Sequence, residues 1–134
     1  MANKMYPKGA EKLLGAQINF ATDTIKAALV PSGYTFSNAH EYAADLGALV
    51  GPSVELEGKS IAGGVFDASD VSFGALAGGS AVKALVLFKD SGSAATSPLI
   101  AYYDEVVGFP FNTNGGAVSI PWSDGALKII SLVA

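Results

Sequence analysis

The chain has 134 residues, half of them hydrophobic and 15% charged, with no cysteine, eight basic residues that are all lysine, and a net charge of −4. Disulfides and cysteine-ligated metals are excluded outright, and a chain without arginine or a lysine cluster has no bidentate fork for phosphate, so no nucleic acid is expected as a partner. No run approaches the ~20 apolar residues of a membrane span, residues 1–16 lack the apolar core of a secretory leader, and the length fits one domain that buries its own core.

Tyr6-Pro7-Lys8-Gly9 opens the chain, followed by the helix formers Ala10 to Leu14. Pro7 suits a first helical position and Gly15 a stop. The expectation is an N-terminal arm, residues 1–16, with one short helix that adds little to the core. Residues 17–134 are expected to form a single β-sandwich domain. Its first strand region runs from Ile18 to Val30 and ends at the Pro31-Ser32-Gly33 turn. A second short helix is predicted up to Leu46, with Ser37 or Asn38 as cap, Glu41 at capping-box spacing, and Tyr42, Leu46 and Leu49 on one face.

From Val54 onward the pattern is β. Val54 and Leu56 alternate with Glu55 and Glu57. Gly63-Gly64 interrupts Ile61 to Phe66 and marks a weak strand or a bulge. Ala81 to Lys89 is the clearest central strand, with Val82, Ala84, Val86 and Phe88 on one face and Lys83, Leu85, Leu87 and Lys89 on the other. A hairpin should join it to Pro98–Val107. An Asn114-Gly115 turn precedes an edge strand over Ala117–Trp122, and a terminal strand follows over Ala126–Val133. Turn signals about every ten residues predict a mainly β chain, an antiparallel β-sandwich or jelly-roll-like barrel with one or two short helices.

Residues able to do chemistry do not converge in the sequence. His40 is the one histidine and sits in the predicted helix. No serine lies in a Gly-x-Ser-x-Gly elbow. Asp104 and Glu105 are strand neighbours and point to opposite faces. Glu55 and Glu57 share the solvent side of a half-buried strand. Asp67 and Asp70 are turn formers, far short of the six or more oxygens of a calcium cage. Gly78-Gly79 and Gly115-Gly116 fit no phosphate loop. The expectation is a protein that is not an enzyme, with no catalytic residue, no cofactor and no metal. Average globular chains are about a quarter charged. Here Ala, Gly, Ser and Thr replace the missing charge, which suits either an exterior partly covered by neighbours or a small β-domain with a Ser/Thr-rich skin.

The layout of several segments carries a resemblance. The chain opens Met-Ala-Asn-Lys-Met-Tyr-Pro-Lys-Gly and continues through Ile18-Asn19-Phe20, Thr22 to Val30 and Tyr34-Thr35-Phe36-Ser37 to His40-Glu41-Tyr42. Phe88-Lys89-Asp90-Ser91-Gly92, Ser97 to Tyr102, Asn114-Gly115-Gly116 and Trp122-Ser123-Asp124-Gly125 follow. Over nearly its whole length this resembles the small structural virion proteins of tailed bacteriophages. The resemblance implies a capsid decoration, or cement, protein on the outer capsid surface, made in the host cytoplasm and bound to the major capsid protein as a homo-oligomer, a dimer or trimer. It brings no catalytic residues. A tail or head–tail joining component is the close alternative. A carbohydrate-binding module of a phage tip is another, with its platform drawn from Tyr102, Tyr103, Phe109, Phe111 and Trp122. The expected partner-binding residues are Tyr6, Pro7, Leu13 and Leu14 in the arm, and Ile120 and Trp122 on the edge strand.

Overall fold

The computed structural model describes residues 4–104, 111–120 and 130–131. In chain order it runs β1 (Lys4–Met5), α1 (Pro7–Leu14), β2 (Ile25–Pro31), a 3₁₀ helix (Ala43–Leu46), β3 (Val54–Glu55), β4 (Ser60–Ala62), β5 (Val65–Asp67), β6 (Val71–Ala75), β7 (Ala81–Lys89), β8 (Leu99–Tyr103), β9 (Phe111–Asn112), β10 (Ala117–Ile120) and β11 (Ile130–Ser131). The main sheet has the order β1-β8-β7-β2-β3 and is antiparallel throughout. β9 pairs with the start of β7. Two small antiparallel sheets, β10-β6 and β11-β5-β4, complete the set. The chain is mainly β and sandwich-like, as its turn rhythm predicts. Among the described residues it is not a closed barrel, because the main sheet ends at β1 on one side and β3 on the other.

Both faces of the main sheet are covered. On one face Ile25, Ala27, Leu29, Leu85, Leu87 and Ile100 pack with Phe66, Val71 and Phe73 from the small sheets. On the other, Ala28, Val30, Ala84, Val86, Phe88 and Tyr102 pack with Tyr34, Phe36 and Leu46 from the 32–47 segment, and with Tyr6. Burial on both sides explains why β7 reads as apolar on both faces.

Bulges set which residue faces which layer. Val30 lies opposite Ala84 while Pro31 lies opposite Val82, so Lys83 is an extra residue in β7. An extra residue reverses the alternation beyond it. Val82 therefore packs with Leu85 and Leu87 and not with Ala84 and Val86, which corrects the strict alternation expected for this strand. A second slip at Ile100 places Ile100 and Ala101 in the same layer.

Three further expectations are corrected. The Gly63-Gly64 pair is neither a bulge nor a weak strand. It is the two-residue turn of the β4–β5 hairpin, with φ of 59° and 80°, the positive values that a type I′ turn requires at both central positions. The helix predicted up to Leu46 is reduced to its last turn. The Ala43 N–H bonds to the Ser97 carbonyl, the Leu99 N–H bonds to the Glu41 carbonyl, and Tyr42 bridges Pro98. These long-range bonds hold residues 41–43 extended against the start of β8, so their backbone groups are unavailable to a helix. Finally, β2 begins at Ile25 and not Ile18, because Asn19 and Asp23 close a turn through their side chains and backbone. Pro121, Trp122, most of the 126–133 strand and the end of the 98–107 strand lie outside the described residues.

Candidate interaction surface

Residues 4–14 form one unit laid along β8. β1 adds a short strand to that edge, Lys4 opposite Tyr102 and Met5 opposite Ala101, and the Tyr6 N–H continues the ladder to the Ile100 carbonyl at 3.0 Å. Pro7 then starts α1 with its fixed φ. Gly9 is where the helix touches the strand. A Cβ there would run into the Leu99 carbonyl and the Ile100 Cα, so only glycine allows this approach.

α1 ends in a Schellman arrangement. The Ala16 N–H bonds to the Leu13 carbonyl at 3.2 Å, and the Gln17 N–H to the Lys12 carbonyl at 2.8 Å. The left-handed residue of that motif is Ala16, at φ 62°, and not the glycine before it. The helix stops at Gly15 as expected, and the left-handed position that follows carries a Cβ where glycine is preferred. The next two large side chains, Ile18 and Phe20, are buried in the first layer, and Phe20 packs its ring on Phe66 at 4.4 Å.

Tyr6 does not stay on the surface. It is 0% exposed, stacked on Phe36 with ring centroids 4.7 Å apart, and its hydroxyl lies 2.6 Å from that of Tyr34. Tyr34 continues the chain to His40 Nδ1 at 2.8 Å. Burial, reinforced by Tyr34, pushes the Tyr6 phenol up; burial also raises Tyr34. Tyr102, packed edge-on to Phe36, is pushed up to about 12, first by burial and then by Asp104 and Tyr34. Tyr6 is therefore not an exposed contact of the folded chain but a core side chain of the second layer, which corrects the expectation that it presents its ring at the surface and that the arm adds little to the core.

The other expected contact residues are spread out. Pro7 is exposed, Leu13 is half-buried against the first layer, and Leu14 at the end of α1 is 84% exposed. Ile120 ends β10 opposite Val71, far along the chain from the arm; Trp122 lies outside the described residues. Tyr102 and Tyr103 are buried, so neither belongs to an exposed sugar platform. Sequence reading missed Tyr34, Phe36 and Ala16 as the residues that seat and end the arm. The short Tyr34-Thr35-Phe36 alternation between turns was the available signal.

Five lysines among the described residues are bound within the chain. Lys12 pairs with Glu41, Lys26 with Asp90 at 3.0 Å, and Lys89 with Asp23 at 3.2 Å, while Lys59 and Lys83 donate to the carbonyls of Asp23 and Tyr34. An open cleft of about 230 Å³ lies between residues 43–53 and 88–97. Ser97 and Asp90 in its lining are already engaged. The Ser97 hydroxyl donates to the Ser93 carbonyl and accepts from the Ser91 N–H, and Asp90 holds Lys26 and the Gly92 N–H. Among the described residues no three of His, Asp and Glu converge into a metal site. Thr113 is buried and ties the small-residue loop before β7, donating to the Ala77 carbonyl and accepting from the Ser80 N–H. Comparison with protein-family models, with curated proteins and with solved structures finds no match for this chain.

Proposed function

We propose that this chain is a structural component of a tailed-bacteriophage virion, a decoration protein that binds the outside of the major capsid shell and stabilises it by surface fit. The observation that supports this most is the state of its cations. Five lysines are held by carboxylates or backbone carbonyls of the same chain. A free surface lysine costs a docking partner both desolvation and side-chain entropy. Lysines already fixed, on a skin of alanine, glycine, serine and threonine, lower both costs without adding any charge pattern of their own. The phage-like layout supplies the identity of the partner, the major capsid protein. The reading needs no catalytic residue and no cofactor.

Imaging of assembled particles with and without the chain tests it. Density of this fold on the outer shell, lost when the chain is omitted, is the expected result, with attachment that survives ionic strength high enough to screen exposed charges. Density confined to the tail or the head–tail joint would move the protein there. Turnover of a small substrate, or glycan-array hits lost on Trp122→Ala, would overturn the reading.

A further inference from the structure

We infer that the N-terminal segment exchanges between two copies of this chain, each copy inserting its own β1–α1 unit beside β8 of the other. This deepens the homo-oligomer part of the reading above and does not depend on attachment to a shell.

Three observations meet at one point of the chain. First, residues 4–14 are a complete plug: edge pairing to β8, Tyr6 between Phe36 and Tyr34, and Gly9 on the Leu99 carbonyl. Any copy of the chain offers the same socket, so exchange keeps every one of these contacts. Second, the connection is short and strained. The plug ends at Leu14 and the chain is anchored again at Ile18, 4% exposed, leaving Gly15, Ala16 and Gln17 as the hinge. Ala16 holds a left-handed conformation at φ 62°, unfavourable for a residue with a Cβ. Short hinges under strain favour exchange, because the open form releases the strain while keeping the interface. The two bonds lost, from the Ala16 and Gln17 N–H groups, belong to exposed residues, and water replaces them.

Third, Leu14 stands beside this hinge, 84% exposed, although it is a large apolar side chain at the end of an otherwise docked helix. Three hinge residues reach about 10 Å when extended. Two exchanging copies must therefore abut at their hinges, which run past one another at the two-fold axis. The two Leu14 side chains meet there and cover each other. A second copy is thus the occupant that explains the exposed leucine and the strained alanine together.

The chain has no cysteine, so a crosslink can report on the exchange. Met5 and Ala101 are direct partners across β1 and β8. Because Tyr6 bonds to Ile100 next to them, they are a non-hydrogen-bonded pair, the closer of the two kinds. Met5→Cys and Ala101→Cys are placed on separate, differently tagged full-length chains, coexpressed and oxidised. The expected result is a crosslinked pair carrying both tags. In light scattering the unmodified chain is expected at twice its monomer mass. Ala16→Gly is expected to move the balance toward monomer by about fivefold or more, and Leu14→Lys to abolish the dimer. A monomeric mass for the unmodified chain at all concentrations overturns the inference. So does a chain carrying both cysteines that closes on itself while the separate chains do not join. If neither cysteine arrangement closes, a dimer unaffected by Leu14→Lys overturns it. In each case shell binding remains to be judged by the particle images.

Discussion

The two layers on either side of the main sheet are built in different ways. The first is closed mainly by other strands: Phe66, Val71 and Phe73 come down from two small sheets onto Leu29, Leu85 and Leu87, with Met5 and Leu13 of the N-terminal segment packed against them. The second is closed by irregular chain, the 32–47 segment, and by one residue of the N-terminal segment, Tyr6. The first layer is held by apolar packing. The second carries a hydroxyl chain from Tyr6 through Tyr34 to His40, and Lys83 reaches over it to the Tyr34 carbonyl. A layer closed by sheet belongs to the global fold. A layer closed by a loop and a plug has parts that can leave separately.

Substitutions can separate the layers. Leu85→Ala removes a fully buried side chain from the first layer and is expected to cost about 2–5 kcal/mol in urea denaturation, with the whole protein unfolding as one. Gly9→Ala is next. It forces α1 off the Leu99 carbonyl and is expected to cost about 1–3 kcal/mol, with the loss of protection concentrated in residues 4–14 by hydrogen exchange. Tyr6→Phe keeps the stacked ring and removes only its hydroxyl, for an expected loss of about 0.5–1.5 kcal/mol in the same denaturation series. Ala16→Gly has the opposite sign and stabilises by roughly 1 kcal/mol, measured on the monomer at low concentration.

The smallest effect is in acid. Asp45 accepts from the Glu41 and Tyr42 N–H groups, and Asp90 accepts from Gly92 and pairs with Lys26. These bonds hold both carboxyls below their usual range. A lowered folded-state pKa adds stability above the unfolded value and loses it as pH falls through the folded one. Stability is therefore expected to decline below about pH 4. Asp45→Asn should flatten that decline, as read from thermal midpoints across pH, because the asparagine side chain does not titrate.

Much of the first layer could be read from sequence. The apolar runs of β2 and β7 and the turn between β7 and β8 are local signals, and the turn gives the β7–β8 pairing. The second layer could not be read this way. Tyr6, Phe36 and Leu46 approach the sheet from turns and a 3₁₀ helix, where no period exists to mark an inner face. The Lys83 bulge also hides part of the pattern, since one extra residue moves Val82 across the sheet without any change in composition. The candidate site follows the same division. Pro7 and Leu14 were legible as contact residues of a short helix, and both are exposed. The role of Gly9 depends on a carbonyl 90 residues away, and the strain at Ala16 on the backbone alone.

The claim that residues 4–14 are a separable plug is tested most directly by residue-resolved native-state hydrogen exchange of the full chain. The amides of Tyr6 and Ala10 should exchange through an opening clearly smaller than global unfolding, while those of β2 and β7 exchange only when the whole chain unfolds. If all four regions open together, with the same free energy and the same denaturant dependence, the N-terminal segment is one body with the sheet and the account is wrong.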